Sequence, residues 1–178
     1  MSIEEKILKD KEYTKLVKDL LNNDMVIRMK DYKQHFEINC YEHSLNVSYL
    51  TYKCCRKFNL DYKSAARAAL LHDLFLYDWR KRENGRKGFH AFTHPKTALE
   101  NASKVTKLSK KEKDIILNHM WPVTIRLPKY LETYIVTFMD KYSATIEYKY
   151  SKQKVNTDGC KLYDNTIYKV FKSLNPIK

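Results

Sequence analysis

Only three glycines, Gly85, Gly88 and Gly159, punctuate 178 residues, and this scarcity restricts the fold more than any other feature. An all-β chain of this size needs many tight turns, whose left-handed positions favour glycine. Backbone cradles for dinucleotides and triphosphates need glycine at fixed spacings, and neither G-x-G-x-x-G nor a P-loop is present. What remains is a helical chain whose chemistry must come from side chains.

Hydrophobic periodicity agrees. Ile7, Leu8, Val17, Leu20 and Leu21 share a helical period, so a helix is expected over Ile3–Leu21, ended by Asn22-Asn23-Asp24. Tyr41–Phe58 runs without glycine or proline. Asp61 suits the cap of a helix through Ala65, Ala66, Ala68, Ala69, Leu70 and Leu71 to about Tyr77. Small and apolar on nearly every face, it reads as the central buried helix. Arg80–Thr93 reads as a loop. His94-Pro95 marks a helix start, since proline in the first turn sacrifices no hydrogen bond, and that helix runs to about Ser103. Ser109 with Glu112 spells a capping box for a helix carrying Ile115, Ile116 and His119. A connection from Trp121 to Pro128, a long helix over Tyr130–Tyr150 and a short one over Leu162–Leu174 complete the chain. The expectation is one all-α, single-domain helical bundle over 1–178. Its motif-bearing core lies at about 35–150, with the helices 3–21 and 162–174 packed on it.

The formal charge of +13 invites a nucleic-acid or phosphate reading. Lysine outnumbers arginine 27 to 7, alongside 14 Tyr and 11 Asn, a usage that AT-rich coding alone favours. Residues 1–39 carry no net charge, so the surplus lies after them, densest at Arg80, Lys81, Arg82, Arg86 and Lys87. Four cysteines, Cys40, Cys54, Cys55 and Cys160, form no C-x-x-C pair. With no signal-peptide pattern and no run of about 18 apolar residues, a cytoplasmic protein with reduced thiols and no membrane segment is expected.

Four histidines, His43, His72, His94 and His119, each fall in or at the start of a separate expected helix, with Asp73 and Asp140 in apolar stretches beside them. A carboxylate inside ALLHDLFLY is costly unless it is paired or bound to a metal. Neighbours on a helix diverge by about 100°, so His72 and Asp73 can face different sides of one cluster.

His43, the His72-Asp73 doublet and Asp140 occur in the order and spacing of the HD domain superfamily of metal-dependent phosphohydrolases, which this chain resembles. EHSLNVSYL looks like that family's first helix, AALLHDLFL like its doublet helix and YIVTFMDKYSA like its final Asp helix. FTHPKTALENA and IILNHMWP resemble the two further histidine segments of the two-metal branches, which include diadenosine-tetraphosphatase-type hydrolases and cyclic-dinucleotide phosphodiesterases. The resemblance spans residues 43–140. It implies a helical bundle of the HD type and two divalent transition-metal ions, Mn or Fe first, with Co, Ni or Zn also suited to a thiolate-free imidazole–carboxylate set. One ion would take His43, His72, Asp73 and Asp140. The other would take Asp73, His94 and His119, with Asp73 bridging and central to catalysis. The implied activity is hydrolysis of a phosphoester or phosphoanhydride of a nucleotide-like metabolite by a metal-bridged hydroxide.

In many two-metal relatives a lysine follows the doublet aspartate by three positions and contacts phosphate; here Leu76 stands there. Arg80, Lys81 and Arg82 begin four residues later and are candidate substitutes, with His90 and Arg126 as further candidate phosphate contacts. Trp121 is either a base-stacking wall or a packed core residue. Two alternatives remain open at this level. One is a nucleotide- or nucleic-acid-binding module with a structural or degenerate metal site, and the other is a single-metal enzyme.

Overall fold

The computed structural model describes residues 2–35, 38–81 and 88–153. Ser2 and Glu5 form a reciprocal capping box that starts α1 (Ile3–Leu8). The helix expected to continue to Leu21 breaks instead at Asp10. Its carboxylate accepts the Tyr13 N–H at 3.1 Å and starts a second helix, α2 (Lys11–Leu21). The apolar period runs through the break, so only the cap betrays it. Asn23 caps a single turn, α3 (Asp24–Ile27), followed by a 3-10 turn over Arg28–Asp31. A small antiparallel hairpin then pairs β1 (Lys33–His35) with β2 (Ile38–Asn39). Strands this short carry no readable alternation, so the sequence predicts no element there.

Asn39 accepts the Glu42 N–H at 2.8 Å and opens α4 (Cys40–Lys57), of which all but a few residues are buried. Asp61 caps α5 (Tyr62–Leu71) as expected, and its Ala65, Ala66, Ala68 and Ala69 are fully buried. These small side chains let α5 lie close against α4 and still pack on α7 and α8. The centre of the bundle is therefore shared: α4 is at least as enclosed as the alanine helix. Buried Tyr13 donates to Ser48 Oγ (2.8 Å), which donates to the Ala66 carbonyl (2.7 Å), pinning α2 to both central helices.

The expected run of α5 to Tyr77 is corrected. The helix stops at Leu71; Leu74 N–H closes a turn on the Leu71 carbonyl, Phe75 N–H bonds the Asp73 carbonyl, and Leu76 takes a left-handed φ of 52°. An apolar run does not by itself distinguish a helix from a buried irregular turn. The next expected start is also corrected. After Gly88, whose φ of 90° suits glycine, α6 (His90–Val105) begins four residues before His94 and holds Pro95 inside it. The missing proline N–H would have bonded the Ala91 carbonyl, a loss confined to the start of the helix.

Ser109 and Glu112 form the expected capping box of α7 (Lys110–Asn118), with His119 just beyond its last residue. After the connection over 119–130, α8 (Leu131–Gln153) is the expected long helix. The expected helix at Leu162–Leu174 lies outside the described residues, as do Arg82, Arg86, Lys87 and Cys160. Cys40, Cys54 and Cys55 are buried free thiols. Among the described residues no helix is long and apolar enough to cross a membrane.

Candidate metal centre

Five helices bring the six expected residues to one buried point. His43 sits in the first turn of α4, His72 caps the C-terminus of α5, and Asp73 follows it. His94 lies in the second turn of α6, His119 caps α7, and Asp140 faces inward from α8. Each is at most 6% exposed. Candidate ligand atoms group within 4.8 Å as His43–His72–Asp73, His72–His119–Asp140 and Asp73–His94–His119.

Asp73 divides its two oxygens. Oδ2 lies 3.3 Å from His72 Nε2 and 4.0 Å from His43 Nε2. Oδ1 lies 3.2 Å from His94 Nε2 and 3.6 Å from His119 Nε2. Asp140 Oδ1 stands on the His43 and His72 side, at 3.1 and 3.8 Å from their Nε2 atoms.

The outer nitrogens decide what the inner ones offer. His72 Nδ1 meets the Ala69 carbonyl at 2.7 Å, His94 Nδ1 the His90 carbonyl at 2.8 Å and His119 Nδ1 the Ile116 carbonyl at 2.9 Å. His43 Nδ1 meets both oxygens of buried Glu147, at 2.9 and 3.0 Å. All four partners only accept, so every Nδ1 donates and every neutral ring turns its Nε2 lone pair inward. His94 and His119 bring their Nε2 atoms within 2.9 Å of each other, an approach that a shared proton or a cation must reconcile. His72 Nε2 and Asp73 Oδ1 are buried without a well-formed hydrogen bond. A set of inward lone pairs and carboxylates with no thiolate fits a divalent transition metal.

The electrostatics follow the same division. Burial pulls His43 and His72 down, but Glu147 and Asp140 around His43, and Asp73 and Asp140 around His72, outweigh it. His43 ends well above its ordinary value and His72 is raised to about 9. Burial acts upward on Asp73 and Asp140, yet the neighbouring histidines hold both well below the usual carboxylate range. His119, depressed by burial and then by His72 and His94, stays neutral. In the metal-free chain, protons on His43 and His72 thus supply the positive charge the carboxylates require.

The other expected residues fall differently. His90 stacks on His94 (4.5 Å between centroids) and on Trp79 (5.5 Å), one turn below His94 because α6 starts at His90 itself. With a helix start only at His94-Pro95, no shared face is expected for the two rings; the earlier start of α6 gives them one. Arg80 turns its guanidinium onto Asp78, at 2.9 and 3.1 Å. Lys81 and Arg126 are exposed on connections, and Arg82 lies outside the described residues. Trp121 is half-buried, edge-on against Tyr134 (5.3 Å between centroids). Leu76 is packed against the core.

Three contacts at the cluster involve residues outside the expected set. Glu147 follows Asp140 by seven residues, two turns along one face of α8, and that spacing was the available signal. Lys141 Nζ lies 2.5 Å from Asp140 Oδ2. Gln34 reaches in from β1, its Nε2 2.5 Å from Asp73 Oδ2, while the Cys40 thiol donates to its Oε1. Nothing in its sequence context marks it.

The sequence profile of the HD domain family matches residues 40–145, more than half of the chain. No curated protein and no solved structure matches it. The matched span opens at the first residue of α4 and closes within α8 just past Asp140, enclosing all six clustered side chains. The helical fold, the order of the clustered residues and the profile agree: this chain belongs to the HD domain family, a superfamily of metal-dependent phosphohydrolases.

Proposed function

We propose that the chain is a phosphohydrolase that uses two divalent transition-metal ions, Mn or Fe first. The substrate would be a phosphoester or phosphoanhydride of a small nucleotide-like metabolite. The observation that carries the reading is the division at Asp73, with Oδ2 turned to His72 and His43 and Oδ1 to His94 and His119. A carboxylate facing two separate imidazole pairs would help to hold an ion on each side. Ions held there would supply Lewis acidity for activating water and neutralising charge on the phosphoryl oxygens.

The chain's own contribution is placement. His43, His72, Asp140 and Asp73 Oδ2 form one subsite; His94, His119 and Asp73 Oδ1 form the other. Glu147 and the three backbone carbonyls hold the four rings with Nε2 inward. Gln34 fixes the rotation of the Asp73 carboxylate through its Oδ2. The binding-module alternative draws on Leu76, which packs into the core and cannot serve as a phosphate contact.

One experiment separates the two. Bound metal is quantified in the purified protein, and wild type and Asp73→Asn are assayed with Mn or Fe on a nucleotide panel. The expected result is about two ions per chain, hydrolysis by wild type, and a loss of activity of at least 100-fold in the variant. Metal-replete wild type that hydrolyses nothing yet binds RNA or DNA with steep salt dependence supports the binding module instead. A stoichiometry of one ion removes the bridge.

A further inference from the structure

Leu76 packs into the core and offers no cation directly after the doublet; among the described residues that follow, Arg80 lays its guanidinium bidentately on Asp78, away from the six clustered side chains. A basic side chain does stand at the cluster, on a different helix. Lys141 follows Asp140 on α8, and its ammonium folds back to 2.5 Å from Asp140 Oδ2 and 3.6 Å from the Met120 thioether. Asp140 belongs to the first proposed subsite, and Met120 adjoins His119 of the second. The ammonium therefore touches the outer carboxylate oxygen of one clustered residue and the side chain that follows another in sequence.

Its exposure differs from that of its partner. The Lys141 side chain is 42% exposed, while the Asp140 carboxylate it touches is 9% exposed. One end of the pair faces solvent and the other faces the cluster. An ammonium has three donors; Asp140 takes one, and a thioether is a weak acceptor for a second. The remaining capacity points to an anionic oxygen arriving from solvent. Lysine suits a single phosphoryl oxygen as a compact charge on a flexible stem.

We propose that Lys141 binds a non-bridging phosphoryl oxygen of the substrate at the edge of the metal cluster, taking from α8 the role that Leu76 cannot fill. This rests on reading the cluster as a centre for phosphoryl chemistry. Asp140 positions the ammonium, and the incoming phosphate becomes its second charged partner.

The test uses the full-length, Mn-loaded protein and inorganic phosphate as probe, with binding measured by titration calorimetry and Mn content measured on the same samples. Lys141→Gln is expected to weaken phosphate binding by about tenfold or more, the range of a charge-assisted hydrogen bond, while Mn stoichiometry is unchanged. Lys141→Arg is expected to retain most of the affinity, and Arg80→Gln to leave it unaltered. Unchanged phosphate affinity in Lys141→Gln overturns the assignment. So does a fall in Mn content with phosphate affinity per bound ion unchanged, which would make Lys141 a support for Asp140 alone. Wild type that binds Mn but no phosphate overturns it as well. A wild type that binds phosphate through Lys141 but cleaves no phosphorylated substrate leaves this assignment standing and sinks only the hydrolase reading.

Discussion

Glu147 holds His43 differently from the way the other three rings are held. A backbone carbonyl orients an imidazole through one dipole, whereas the Glu147 carboxylate meets Nδ1 with both oxygens and adds a full negative charge. That charge raises the basicity of the opposite nitrogen, the one aimed at the cluster. Glu147→Gln keeps the volume and one acceptor but removes the charge. It is expected to weaken Mn affinity by about 10- to 100-fold, measured by competition with a chelator, with little change in the circular dichroism of the fold. Equal affinity in the variant would mean that His43 needs no carboxylate behind it. The six cluster residues were legible because each carries its own chemistry in an apolar context. Glu147 was not, because its meaning depends on a partner 104 residues away.

At the scale of elements, the cluster is assembled mostly from helix ends. The last carbonyls of a helix lack intrahelical donors. In α5 and α7 the residue after the helix is a histidine whose Nδ1 takes the carbonyl three residues back, Ala69 in one case and Ile116 in the other. One hydrogen bond thereby caps the helix and fixes the ring. The end of α5 at Leu71, although the apolar pattern continues, coincides with this ring-to-carbonyl cap. Periodicity reports burial and is blind to such a cap. The same blindness hid the break at Asp10, whereas Asp61 and the Ser109–Glu112 box announced their helices through caps that periodicity does not supply.

Helix α2 is tied to the central pair at several points, and one tie is testable. Arg67 on α5 grips Asp19 on α2 through two hydrogen bonds of 2.6 and 2.7 Å, which holds the Asp19 carboxyl below its ordinary range. A lowered folded pKa contributes stability above the unfolded value near 3.9 and loses it as pH falls through the folded one. Because Asp19 is 59% exposed, solvent screening limits the effect. Asp19→Asn is expected to cost about 0.5–1 kcal/mol at pH 7 in denaturant titration, and less than that below about pH 3. A pH-independent difference would assign the effect to packing.

For the whole molecule, the decisive quantity is how the charges inside the cluster are balanced, and the formal net charge of +13 does not report it. Asp73, Asp140 and Glu147 are buried carboxylates, and without metal they are answered by protons on His43 and His72. A folded pKa of about 9 for His72, raised from its ordinary 6.5, means that its contribution to the metal-free fold is complete below about pH 6.5 and is lost as pH rises towards 9. Metal binding at the proposed site must displace the same proton, so apparent affinity rises over that window. The gap between the metal-bound and metal-free states follows that apparent affinity. Chelation is therefore expected to lower the Tm at pH 8 by more than at pH 6. With free Mn at about 100 times its Kd, the stabilisation is about 2.7 kcal/mol, a shift of roughly 5–10 °C for a chain of this size. Thermal unfolding with Mn and with excess chelator, run at both pH values in degassed buffer, measures the two gaps. A gap that is constant or narrower at pH 8 would show that the histidines enter the metal-free fold already neutral, and that the buried carboxylates are answered by something other than their protons.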